Sequence, residues 1–62
     1  MKKMMKVGDL ARVVEPGGFA KEGELVLILE ILPYFMDAPF KGLHQKTGRK
    51  IRFRSHHLEK VS

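Results

Sequence analysis

A chain of 62 residues with twelve lysines and arginines against seven acidic residues, a net charge of +5 and no cysteine has room for a single domain, with no disulfide or thiolate-bound metal to staple it. Its longest apolar run, residues 25–29, is far too short for a membrane-spanning helix. Residues 1–6 lead into a charged, glycine-bearing stretch without the apolar core of a leader peptide, so a soluble protein of a reducing, cytoplasmic compartment is expected, with no membrane partner.

Residues 1–5 are expected as a flexible arm and residues 6–62 as one domain. Over residues 6–15, Val7, Ala11 and Val13 share one parity and Leu10, Arg12 and Val14 the other. This predicts a strand with one imperfectly wetted face and a kink at Gly8. Glu15-Pro16-Gly17-Gly18 ends it, because proline has no amide proton for a ladder and the glycines admit positive φ. A loop through residues 19–23 leads to the longest predicted strand, residues 24–32. There Leu25, Leu27, Leu29 and Ile31 point one way, and Val26, Ile28 and Leu32 point the other beside Glu30. A strand apolar on both faces is expected to be fully buried.

Pro33 stops that strand, and residues 34–40 carry three aromatics and a methionine. Phe40 is expected to fold over the barrel end as a lid. Tyr34 and Phe35 fit either a lid or an exposed recognition patch, which Met36 would join. Residues 41–45 read as a third strand and residues 46–49 as a hairpin turn with Gly48 at positive φ. Residues 50–54 alternate, with Ile51 and Phe53 inward and Lys50, Arg52 and Arg54 outward. Ser55-His56-His57-Leu58 is predicted as one helical turn capped by Ser55 and plugged by Leu58, before a closing strand over residues 59–61. The predicted fold is all-β: a small five-stranded barrel with a short helical turn before the last strand.

The glycine-aspartate strand, the Gly/Pro loop, Gly23 before a buried strand, the hairpin and the terminal turn ending in Leu58-Glu59-Lys60-Val61 together resemble SH3-like small barrels. Gly8-Asp9 through Ile31 is similar to the KOW motif of some ribosomal and transcription proteins, and the whole chain resembles short SH3-like proteins of tailed bacteriophages. The resemblance implies turn or bulge roles for Gly8, Asp9 and Gly23, a core role for Leu58, and no chemical site. It also implies a phage accessory protein acting in the host cytoplasm.

Catalysis is not expected. Ser55 has no elbow motif or orienting carboxylate, and Gly42 to Gly48 followed by arginine misses the GxxxxGK phosphate loop. His56 and His57 are adjacent, and neighbours on a helical turn point about 100° apart. One packed and one exposed histidine is therefore the expectation, with no metal and no cofactor.

Charge is the strongest lead. Residues 1–40 hold five basic and six acidic residues, whereas residues 41–62 hold seven basic residues against Glu59 alone. Lys50, Arg52 and Arg54 should protrude at about 7 Å intervals, twice the strand rise, with Lys46 and Arg49 extending the stripe and His44 at its border. The expected function is a non-catalytic adaptor that docks on a protein partner or larger assembly through Tyr34, Phe35, Met36, Arg49, Lys50, Arg52 and Arg54. A nucleic-acid binder with phosphate contacts from Lys46, Arg49, Lys50, Arg52 and Arg54 is the alternative. Homo-oligomerisation through the long second strand or an exposed sheet edge is a third route.

Overall fold

The computed structural model describes residues 5–16, 20–32, 34 and 38–61. Five antiparallel strands form one sheet: β1 (Leu10–Val13), β2 (Leu25–Ile31), β3 (Phe40–His44), β4 (Lys50–Phe53) and β5 (Leu58–Lys60). Their spatial order is β4-β3-β2-β1-β5, and a 3-10 turn, Ser55–His57, precedes β5. The all-β expectation, with a short helical turn before the last strand, is what the chain adopts.

The connection between the edge strands forces the sheet to curl. A flat sheet would keep β4 and β5 at least about 19 Å apart, four spacings of about 4.8 Å. Residues 54–57, three of them in the 3-10 turn, can bridge only about 14 Å between Phe53 and Leu58. The sheet wraps accordingly around a core of Ala11, Val13, Ala20, Val26, Ile28, Phe53 and Leu58, with Met5, Ile31, Phe40 and Ile51 packed against it.

Register assigns the two faces. Ala11, Val26 and His44 lie opposite one another across β1, β2 and β3, and Ile28, Gly42 and Ile51 across β2, β3 and β4. These rows line the interior. Between Ile28 and Glu30 the β2–β3 register slips by one residue, a bulge that reverses the parity of everything after it. Ile31 thereby joins Val26 and Ile28 against the core, instead of sharing a face with Leu25 and Leu27 as strict alternation predicted.

Four local expectations are corrected. Residues 6–9 form a turn, not the start of a strand: Asp9 N–H donates to the Lys6 carbonyl (3.0 Å) and Lys6 N–H to the Asp9 carboxylate (2.7 Å). Ser55 caps nothing, since Arg54 occupies the N-cap position and no side-chain hydrogen bond closes it. Leu58 is buried but begins β5. Phe40 opens β3 opposite Ile31 and Phe53, so it packs as a strand residue and not as a loop lid. Gly48 does take positive φ (+72°), and its N–H donates to the His44 carbonyl (2.7 Å) to close the β3–β4 hairpin.

Candidate functional site

The outward face of the sheet is not uniformly polar. Leu10, Leu27, Leu43 and Lys50 form one cross-strand row over β1, β2, β3 and β4, and Glu30, Lys41 and Arg52 form another over β2, β3 and β4. Directly opposed residues share a face and touch. Three leucines are thus in series outside the core, with Leu25 (40% exposed) opposite Arg12 in a further row. Leu10, Leu27 and Leu43 are each half-buried. The expected full burial of β2 is therefore corrected: its second apolar face lies on the outside, because the interior of so small a sheet is filled by one side of each strand.

The basic residues gather beside this row. Lys50, Arg52 and Arg54 are exposed, as the alternation of β4 predicted. Lys41, placed opposite Arg52 by the register, joins them. Arg52 Nε donates to the Ala38 carbonyl (3.4 Å), and both Arg49 and Arg52 make further interactions within the fold. At the hairpin, Lys46 and Arg49 are exposed, but the Lys46 ammonium lies 3.6 Å from Glu24 Oε2, which offsets part of its charge. Tyr34 is 88% exposed, so it belongs to the surface and not to a lid. Phe35 and Met36 lie outside the described residues.

His44 does not border the basic stripe. It is 1% exposed on the inward row, where Nε2 lies 2.8 Å from Glu24 Oε1 and Nδ1 lies 2.8 Å from Thr47 Oγ1. Arg49 N–H in turn donates to Thr47 Oγ1 (3.3 Å). Lys21 N–H donates to Glu24 Oε1 (2.8 Å), and this bond, with the His44 ring and the Lys46 charge, holds the Glu24 carboxyl below its ordinary range against a smaller opposing effect of burial. The network ties β3 and its hairpin to the residue preceding β2. The inward phase of His44 follows from its two-residue spacing from Gly42, both facing the buried residues of β2.

A second cluster sits just past the C-terminal end of β1, where the His57 carbonyl accepts the N–H of Val14 (2.8 Å). The His56 and His57 rings meet edge-to-face with centroids 4.4 Å apart and planes at 63°, and His56 Nε2 is 3.6 Å from Glu15 Oε2. His56 is exposed and His57 half-buried, but their rings meet instead of pointing about 100° apart as the sequence predicts. At the other end of β1, Asp9, which precedes the strand, lies 3.4 Å from the Lys60 ammonium of β5. The Lys6 backbone N–H, aided by the Lys60 ammonium and opposed by burial, holds the Asp9 carboxyl below its ordinary range.

Comparison with protein families, curated proteins and solved structures finds no match.

Proposed function

We propose that this protein is a non-catalytic binding module that docks on a protein partner through the outward face of β2, β3 and β4. Its contact surface is the apolar row Leu10–Leu27–Leu43 together with Lys41, Lys50 and Arg52, extended by Tyr34. The carrying observation is that an apolar row outside the core abuts a basic cluster. Single surface leucines are ordinary, but leucines in mutual cross-strand contact make a contiguous patch, the usual mark of a recognition surface. Lys41 lies between Glu30 and Arg52 in its row, so the like-charged Lys41–Arg52 pair is partly offset within the fold and leaves a net positive charge that an acidic partner would complement. The partner read from this surface is an acidic segment with apolar anchors, meeting the leucines at its centre and the cations at its rim. An adaptor of a phage or other assembly, working in the cytoplasm, fits this proposal, as does the SH3-like resemblance of the sequence.

Nucleic acid is the second reading, favoured by the same like-charged pair with Lys50, Arg54 and the hairpin cations around it. It leaves the leucine row without a use, because a phosphate backbone offers no dry surface. A photo-cross-linker at position 43 and fluorescence anisotropy with duplex DNA and RNA separate the two. The protein reading expects cross-links to a partner that are lost in Leu27→Ser and in Lys50→Glu. It also expects no nucleic-acid binding at physiological salt. Binding to DNA whose affinity falls with salt at a log–log slope of about −0.9 per phosphate contacted, unaffected by Leu27→Ser, would overturn it.

A further inference from the structure

We propose that Glu15, His56 and His57 form a binding site for a divalent transition-metal ion, with zinc the expected occupant and a coordination position open to solvent. Each side chain offers one ligand atom, and these atoms lie within 4.8 Å of one another. A tetrahedral zinc ion with bonds of about 2.0–2.1 Å separates its ligand atoms by about 3.4 Å. The Glu15–His56 pair, at 3.6 Å, already stands at nearly that spacing. The remaining distances close by small rotations of side chains that are largely at the surface, Glu15 being 60% and His56 56% exposed.

The backbone sets this convergence independently of any ion. The His57 carbonyl accepts the N–H of Val14 (2.8 Å) and of Glu15 (3.5 Å), and His57 N–H donates to the Arg54 carbonyl (3.1 Å). The segment after β1 and the 3-10 turn are therefore fixed against each other, and the ligands need little ordering on binding. Two imidazoles and one carboxylate suit zinc and its neighbours, whereas calcium and magnesium require an oxygen cage. Three protein ligands with a vacant fourth position, in the His/His/Glu combination, are the pattern of zinc sites that keep a bound water. Arg54, which precedes the turn, opposes a cation, so the Glu15 carboxylate is essential to the site.

Among the described residues no other cluster of three ligands competes for the ion. There is no cysteine, and the third histidine, His44, is buried with both ring nitrogens engaged by Glu24 and Thr47. A bound ion would clip the end of β1 to the β4–β5 connection, the seam at which the curled sheet closes, and would thereby stabilise the fold.

Zinc titrated calorimetrically into the full chain, with cobalt(II) absorption as a second probe, tests the proposal. Saturation at one ion per chain is expected, with about a tenfold or greater weakening in each of Glu15→Gln, His56→Ala and His57→Ala. The melting temperature should rise with zinc in the parent chain and stay constant in the His56→Ala/His57→Ala pair. Circular dichroism confirms that these surface variants fold. Absence of saturable binding up to millimolar zinc overturns the site, and so does undiminished affinity in Glu15→Gln or in the double histidine variant.

Discussion

Replacing Gly42 with alanine isolates the tightest steric demand in the barrel. Gly42 sits on the inward face of β3 between Ile28 and Ile51. A Cβ added there runs into Cγ1 of Val26 and approaches the Leu27 carbonyl oxygen to 3.4 Å and Phe53 Cε2 to 3.6 Å. Val26 is fully buried and β-branched, so it has few χ1 wells into which to retreat. Gly42 is not among the positive-φ glycines, so backbone strain plays no part and the penalty is overpacking, about 1–3 kcal/mol. Restricting the unfolded chain returns about 0.4–1 kcal/mol, leaving a net loss of about 1–2 kcal/mol. A chain of this length has a total stability of about 3–9 kcal/mol and an unfolding entropy of about 0.13 kcal/mol/K, so the melting temperature should fall by about 8–15 °C. Thermal unfolding by circular dichroism reads the effect, and a cycle with Val26→Ala locates its cause. In the Val26→Ala background Gly42→Ala should be neutral or stabilising. A neutral Gly42→Ala in the parent chain, or a penalty that persists in full without the valine methyls, refutes the reasoning.

Phe53→Ala removes the largest fully buried side chain among the described residues and should cost about 3–5 kcal/mol; this is comparable with the whole stability, so collapsed amide dispersion in the NMR spectrum at 25 °C is expected. Thr47→Val deprives the His44 ring and the Arg49 N–H of their shared partner and should lower the urea-derived stability by about 1–2 kcal/mol, without a change in m-value. Asp9 and Glu24 both titrate lower in the folded chain, so their stabilisation is complete above about pH 5 and is lost as pH falls through the depressed values. The difference in melting temperature between the parent and Asp9→Asn/Glu24→Gln should accordingly be constant from pH 7 to 5 and shrink below about pH 4.

The order of elements was legible because punctuation and alternation agree at the connections between strands. Pro16, Gly23 and Gly48 interrupt runs of opposite phase, and the 50–54 stretch shows its inward Phe53 and outward Arg52 without ambiguity. The bulge in β2 was not legible. All residues from Leu25 to Leu29 are apolar, so a one-residue slip in register leaves no mark in the hydropathy pattern, and the pairings of Glu30 with Lys41 and of Ile31 with Phe40 record it. The turn at residues 6–9 was hidden for a related reason: Asp9 closes it by a side-chain hydrogen bond, whereas periodicity reports only the phase of apolar residues.

The same blindness explains why the leucine row was read as core. A strand apolar on both faces has two explanations, enclosure within the protein or enclosure by something else, and its own residues cannot choose between them. The choice depends on what stands opposite. Val26 faces Ala11 and His44, which are buried, while Leu27 faces Leu10 and Leu43, whose row ends at the exposed Lys50. A core row in a domain this small would end in a buried side chain, as the row through Ile31 and Phe40 does at Phe53. An apolar row that instead runs into a solvated lysine lies on the outside of the curl, and the two lysines and the arginine beside it give that surface a sign. The leucines of β2 and the cations of β3 and β4, far apart along the chain, therefore become one feature through antiparallel pairing alone, and it is this pairing that sets an apolar row on the sheet beside the cations expected there.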